Sequence, residues 1–195
     1  MKGKGTGFLT NNNFVSGDWL GAGFGAGLTG DGSTKKLATG LIGTDINLLD
    51  CSLSAYITNS VGVIKEIFGC GGADPNRFQL WELTGTPNVY RFQCGLYANT
   101  VDSTAGDDGF ALGSSRSATD RSCYKNGANQ GTDTGDNSTA TGSTNAIQIF
   151  ASNGPATYAV TLTFAHIGTG LTDTDASNLS NRVNTLMTAL GCNVY

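Results

Sequence analysis

The sequence predicts an all-β, two-layer antiparallel sandwich with one C-terminal amphipathic helix. Three observations carry that expectation. Glycine accounts for 29 of 195 residues, and threonine, serine and asparagine are abundant, a mixture suited to short strands joined by tight turns. Several stretches alternate apolar and polar residues at period two, the pattern of a strand with one buried face. Only the segment 172–190 repeats its apolar residues at helical spacing, through Leu179, Val183, Leu186, Met187 and Leu190.

The first 40 residues read as short strand and turn pieces, Asn11–Val15 and Asp18–Leu20 among them. Leu28 to Leu37 forms a second such unit, with Asp31-Gly32 as its turn. Leu53, Ala55 and Ile57 alternate with Ser52, Ser54, Tyr56 and Thr58, predicting a half-buried strand. Val61 to Phe68 is another apolar segment. Phe78–Leu83 and Val89–Tyr97 predict a hairpin, and Gly109–Gly113 a short strand after a loop at 102–108.

Tyr124-Lys125 leads into Asn126-Gly127, which suits a type I′ turn because both central residues need positive φ. The polar stretch 127–143 is expected to be a surface hairpin with a long solvated tip, and Ile147–Phe150 resumes strand character. Tyr158, Val160, Leu162, Phe164 and His166 share one parity, predicting a strand with these five on its buried face. Thr172 and Asp175 form a capping box at the helix start, and Gly191 suits its C′ position. No linker divides the chain, so 1–195 is expected to be one domain. Within it, 1–20 is a candidate docking or extended segment, as is the glycine-rich Leu20–Leu28.

The net charge of −4 and the scattered lysines and arginines offer no basic stripe for phosphates, which argues against nucleic-acid binding. No apolar run approaches the ~20 residues needed to span a bilayer. The Met1–Gly7 start carries charge without a following apolar run, so no secretory signal is expected, and any export is expected by another route such as lysis. Five widely spread cysteines with no C-x-x-C pair are expected to be buried free thiols. One disulfide stays open, and spacing does not name its pair.

Tyr124-Lys125-Asn126-Gly127 resembles the Y-x-N-G hairpin of laminin-G-like and concanavalin A-like domains. The run from Phe164 to Asp173 resembles their closing turn, and the likeness covers roughly residues 110–190. Asn11–Phe14 and Thr29–Lys35 resemble the openings of such domains in bacteriophage virion proteins. The resemblance implies a concanavalin A-like jelly roll whose rim loops bind glycans or proteins, often with one calcium ion.

Read against residue chemistry, that resemblance gives a non-enzymatic virion structural protein as the expected function. It would be a surface-displayed lectin-like module decorating the capsid or forming part of a tail or head appendage. Other virion proteins and a host-surface glycan are its expected partners, in a homo-oligomer or multi-copy assembly. The alternative is a carbohydrate-binding host-receptor adhesin (a tail-fibre module), and a remote alternative is a glycoside hydrolase. Hydrolysis needs paired carboxylates, yet the only glutamates, Glu66 and Glu82, stand sixteen positions apart. His166 is the only histidine and has no nucleophile motif beside it.

Sugar binding calls for aromatic faces beside amides. Trp19, Trp81, Tyr97 and Tyr124 are the aromatic candidates, with Asn99 and Asn126 nearby in sequence. Trp81, Tyr97, Asn99 and Tyr124 make the expected glycan site. Asp102, Asp107 and Asp108 are the expected ligands if calcium is bound, because that ion takes six to eight oxygens.

Overall fold

The computed structural model of the protein describes residues 9–21, 26–59, 65–72, 75–83, 89–96, 100–103, 108–151 and 158–194. In chain order, β1 (Thr10–Asn12), β2 (Trp19–Leu20), β3 (Gly27–Thr29) and β4 (Lys36–Ile42) open the fold. Next come β5 (Cys51–Asn59), β6 (Lys65–Cys70), β7 (Arg77–Leu83), β8 (Val89–Gly95) and β9 (Thr100–Asp102). The last strands are β10 (Gly109–Ser117), β11 (Asp120–Lys125), β12 (Ala128–Asp133), β13 (Ala146–Ile149) and β14 (Thr161–Gly168), followed by helix α1 (Asp173–Ala189).

The strands form two seven-stranded sheets, sheet A in the order β1-β4-β13-β6-β7-β8-β9 and sheet B in the order β12-β11-β10-β5-β14-β3-β2. Every pairing is antiparallel. This is the expected jelly-roll type of sandwich with its C-terminal helix. One core fills the space between the sheets. Leu53, Ala55, Ile57 and Ala111 of sheet B meet Phe78, Leu80, Tyr90 and Phe92 of sheet A there. Gly113 is required by this closure, because a Cβ on it would lie 2.1 Å from the Phe92 ring.

A second core lies on the other side of sheet B. Tyr56, Phe110, Leu112 and Tyr124 point outward and are covered by Ala176, Val183 and Met187 of α1. The Thr172 hydroxyl accepts the Asp175 N–H, and Asp175 in turn accepts the Thr172 N–H, so the capping box is formed. Asn126 (φ 50°) and Gly127 (φ 81°) make the expected turn between β11 and β12. A Cβ on Gly127 would lie 2.9 Å from Ser180 Cβ, so α1 rests directly on this turn.

Four expectations change. β5 is buried on both faces from Cys51 to Thr58 instead of half-buried, because it is central in sheet B and roofed on its outer side. Ser52 helps fasten that roof, its hydroxyl donating to the Thr169 carbonyl at 2.7 Å. Asp31-Gly32 does not close a hairpin, since β3 and β4 belong to different sheets. The turn is a crossing point, held by Asp31 accepting the N–H groups of Ser33, Thr34 and Lys35.

The single parity expected for the last strand is broken at Thr163. Leu162 pairs with Ile57 and Phe164 with Tyr56, so one extra residue bulges out. Val160 and Leu162 therefore face the inter-sheet core, whereas Phe164 packs on the helix side and His166 shares its face. The 127–143 stretch is not a solvated tip either. Asn137 is fully buried, donating to the Cys94 carbonyl and accepting from the Leu96 N–H, which ties the connection down onto sheet A.

Candidate functional site

The outer face of sheet A is built by strict alternation. Phe78 and Leu80 of β7, Tyr90, Phe92 and Cys94 of β8, and Val101 of β9 point into the core. Gln79, Trp81, Arg91, Gln93, Thr100 and Asp102 consequently point outward. In β6 a register shift between Glu66 and Phe68 lets Ile67 and Phe68 both face inward. Glu66 is thereby left on the outer face, directly opposite Trp81.

Strand register arranges these side chains in two rows. Glu66, Trp81, Arg91 and Asp102 are successive cross-strand neighbours. Beside them run Gln148, Gly69, Gln79, Gln93 and Thr100. At the usual inter-strand spacing the four-residue row spans about 14 Å. Gly69 has no side chain, which leaves a gap in the second row between two glutamines.

The charges on this face are largely matched. Arg91 donates from Nε and Nη2 to the two Asp102 oxygens, each at 2.6 Å. Gln79 Nε2 lies 3.5 Å from Glu66 Oε1. Gln93 is only 1% exposed although it points away from the core, as is its neighbour Gln79. The Gln93 Oε1 and the Trp81 Nε1 are buried without a hydrogen-bond partner. Buried polar atoms are nearly always paired with protein or water, and these two, on one face, lack a protein partner.

Of the residues expected to bind glycan, Trp81 is central in this face and half-buried. Tyr97 and Asn99 lie outside the described residues. Tyr124 is fully buried beneath α1, its hydroxyl donating to Asp173 at 2.8 Å. Its ring is thus covered by the helix and has no free face for a sugar. Burial and the Asp173 bond push its pKa up to about 12.

Two of the expected calcium ligands, Asp102 and Asp108, are among the described residues. Both Asp102 oxygens already accept from Arg91, and Asp107 lies outside the described residues. Asp108 uses its backbone carbonyl to accept from Lys125 Nζ at 2.6 Å. Among the described residues, no three His, Cys, Asp or Glu side chains converge as metal ligands. The sequence reading missed Arg91, Gln79 and Gln93. Their signal was present, since polar residues alternate with the apolar ones in both strands of the predicted hairpin.

Two other places invite comparison. A groove of about 350 Å³ opens between the sheet edges, where only Thr161 and Leu162 of β14 are paired with β3. Leu28, Leu37, Phe68, Ile149 and Ile167 line it, and Trp19 stands at its rim, 62% exposed. Its walls are mainly apolar, with Thr39, Thr163 and His166 as the polar residues. His166 lies opposite Ser54 in register, but neither the imidazole Nδ1 nor the serine Oγ makes a hydrogen bond. The contact a serine–histidine dyad requires is therefore not made. Burial lowers the His166 pKa below its usual value.

The acids are equally separated. Glu82 points to the core side of sheet A and is fully buried, whereas Glu66 is on the outer face. Asp102 shares the Glu66 row at about three strand spacings, or roughly 14 Å, wider than the ~6.5–9.5 Å of an inverting pair.

No protein-family model matches the chain, and no curated protein matches it. A solved structure does match in fold. It is domain 4 of AbnA, an extracellular arabinanase of glycoside hydrolase family 43 from Geobacillus stearothermophilus, in complex with arabinotriose. The superposition has a TM-score of 0.55 and 15% sequence identity, and covers 89% of this chain and 82% of that one. At that identity the likeness establishes architecture alone, and the class it defines is the two-sheet antiparallel β-sandwich.

Proposed function

We propose that the chain is a non-enzymatic, lectin-like module displayed on a bacteriophage particle, decorating the capsid or forming part of a tail or head appendage. The role its outer face favours is recognition of a host-surface oligosaccharide. One observation carries this reading: on the outer face of sheet A the buried Gln93 Oε1, an acceptor, and the Trp81 indole N–H, a donor, both lack a protein partner. A sugar hydroxyl both donates and accepts, so one oligosaccharide can satisfy both atoms while a ring lies against the indole. Because Arg91 is already balanced by Asp102, a neutral glycan suits the face better than an acidic one.

The arabinotriose in the similar arabinanase domain supports looking for a sugar, and the separation of Glu66, Glu82 and Asp102 supports a binding role over hydrolysis. The virion setting rests on the sequence resemblance of the Asn11–Phe14 and Thr29–Lys35 units. A glycan array probed with the full chain tests the ligand. Micromolar binding to a neutral oligosaccharide is expected, and a blank array at high protein concentration would sink the glycan role. Mass spectrometry of purified particles tests the setting, where stoichiometric amounts are expected and recovery only from cytosol would contradict it.

A further inference from the structure

Three cysteines gather at one end of the inter-sheet core. Cys51 opens β5 in sheet B, and Cys70 and Cys94 lie in β6 and β8 of sheet A. The Cys51 and Cys94 sulfurs face each other across the sandwich at 3.5 Å. Cys70 stands in a different relation to Cys94. Both pair with Phe78 of the intervening β7, so their backbones are two strand spacings apart, about 10 Å. Cys70 and Cys94 thus stand side by side on one sheet face, whereas Cys51 meets Cys94 sulfur to sulfur from the facing sheet.

We propose that Cys51 and Cys94 form a disulfide that staples sheet A to sheet B when the protein folds in, or passes into, an oxidising environment. The sulfurs need to close by about 1.5 Å to reach bonding distance. The surroundings tolerate the loss of both thiol hydrogens. Cys94 Sγ donates to the Leu48 carbonyl at 3.1 Å, but the Ser115 hydroxyl donates to that same oxygen at 2.8 Å, so the carbonyl keeps a partner after oxidation. Asn137 holds the Cys94 carbonyl in place from the other side.

The chemistry is thiol–disulfide exchange with a small-molecule disulfide such as oxidised glutathione. One protein thiolate attacks the reagent, forming a mixed disulfide and expelling one glutathione thiolate. The second cysteine, losing its proton, attacks the protein sulfur of that mixed disulfide and expels the other. Two protein thiols are oxidised and one reagent disulfide is reduced to two thiols. In the folded protein this is slow, because Cys51 and Cys94 are at most 1% exposed and burial pushes the Cys51 thiol well above its usual pKa. The bond therefore forms while the sheets are closing, and in a reducing cytoplasm the pair stays as thiols.

The test is refolding of the full chain in a glutathione redox buffer, followed by thiol counting, non-reduced tryptic mass spectrometry and thermal melting. Trypsin places the three cysteines on separate peptides, 37–65, 66–77 and 92–116, so the linkage is read directly. Three of the five thiols should remain, 37–65 should be linked to 92–116, and Tm should rise by about 5–15 °C in a way reversed by dithiothreitol. Cys51→Ser or Cys94→Ser should each retain four thiols and lose the rise, whereas Cys70→Ser should keep it. Five thiols after oxidative refolding, or a linkage through Cys70, Cys123 or Cys192, would overturn the proposal. Peptide mapping of the wild-type chain decides this even where a serine variant fails to fold.

Discussion

The two sheets present their outer faces in opposite ways. Both are made by alternation, and both carry an aromatic residue in a hairpin strand, Trp81 in sheet A and Tyr124 in sheet B. Around Tyr124 the outward residues include Tyr56, Phe110 and Leu112, a surface apolar enough that α1 must cover it. Around Trp81 they are Glu66, Gln79, Arg91, Gln93 and Asp102, and no packed helix covers them among the described residues. One face spends its aromatic on stability and the other keeps it half-buried among polar groups. The difference lies in the neighbours, not in the aromatic itself.

Truncation should separate the two faces most sharply. Phe110→Ala removes a fully buried ring from beneath α1 and should cost about 3–5 kcal/mol in urea denaturation. Its remaining folded fraction should bind glycan as tightly as the wild type. Trp81→Ala should do the reverse, weakening glycan binding about tenfold or more while costing less stability than Phe110→Ala. If both variants lose stability alike and neither alters binding, the distinction between the faces fails.

Smaller effects sharpen the helix-covered side. Thr172→Ala removes the cap that accepts the Asp175 N–H and should lower stability by about 1 kcal/mol, visible as a shift of the urea midpoint. Smallest is the acid response of Asp173. The Tyr124 hydroxyl first, and Asn129 next, hold its carboxyl below the usual value of 3.8. A lowered carboxylate pKa stabilises the fold above that usual value, and the contribution is lost as pH falls through the depressed one. Asp173 is largely solvated, so only a slight effect is expected. Asp173→Asn should therefore show a slightly smaller drop in urea midpoint than wild type between about pH 6 and about pH 3.

The architecture was legible because it rests on local chemistry. Asn126-Gly127, the Thr172/Asp175 box and the helical spacing of Val183 and Met187 each dictate their own geometry. Long-range choices were not legible. A bulge at Thr163 reverses the facing of every later residue in β14, and no local residue type announces it. The same limit hid the sites. Tyr124 and Trp81 look alike in sequence, and only sheet order reveals which of them α1 covers. Gln79 and Gln93 were visible as outward residues of a hairpin, but their meeting in one row depends on the register of β7 with β8.

The role of the outer face of sheet A is best tested by titrating an oligosaccharide bound on the array into three proteins, the wild type, Trp81→Ala and Trp19→Ala. Trp19 stands at the rim of the apolar groove, at the opposite side of the sandwich edge from the glutamine row. Loss of affinity in Trp81→Ala with wild-type affinity in Trp19→Ala is the predicted result. Retained affinity in Trp81→Ala together with loss in Trp19→Ala would move the binding site to the groove and contradict the account.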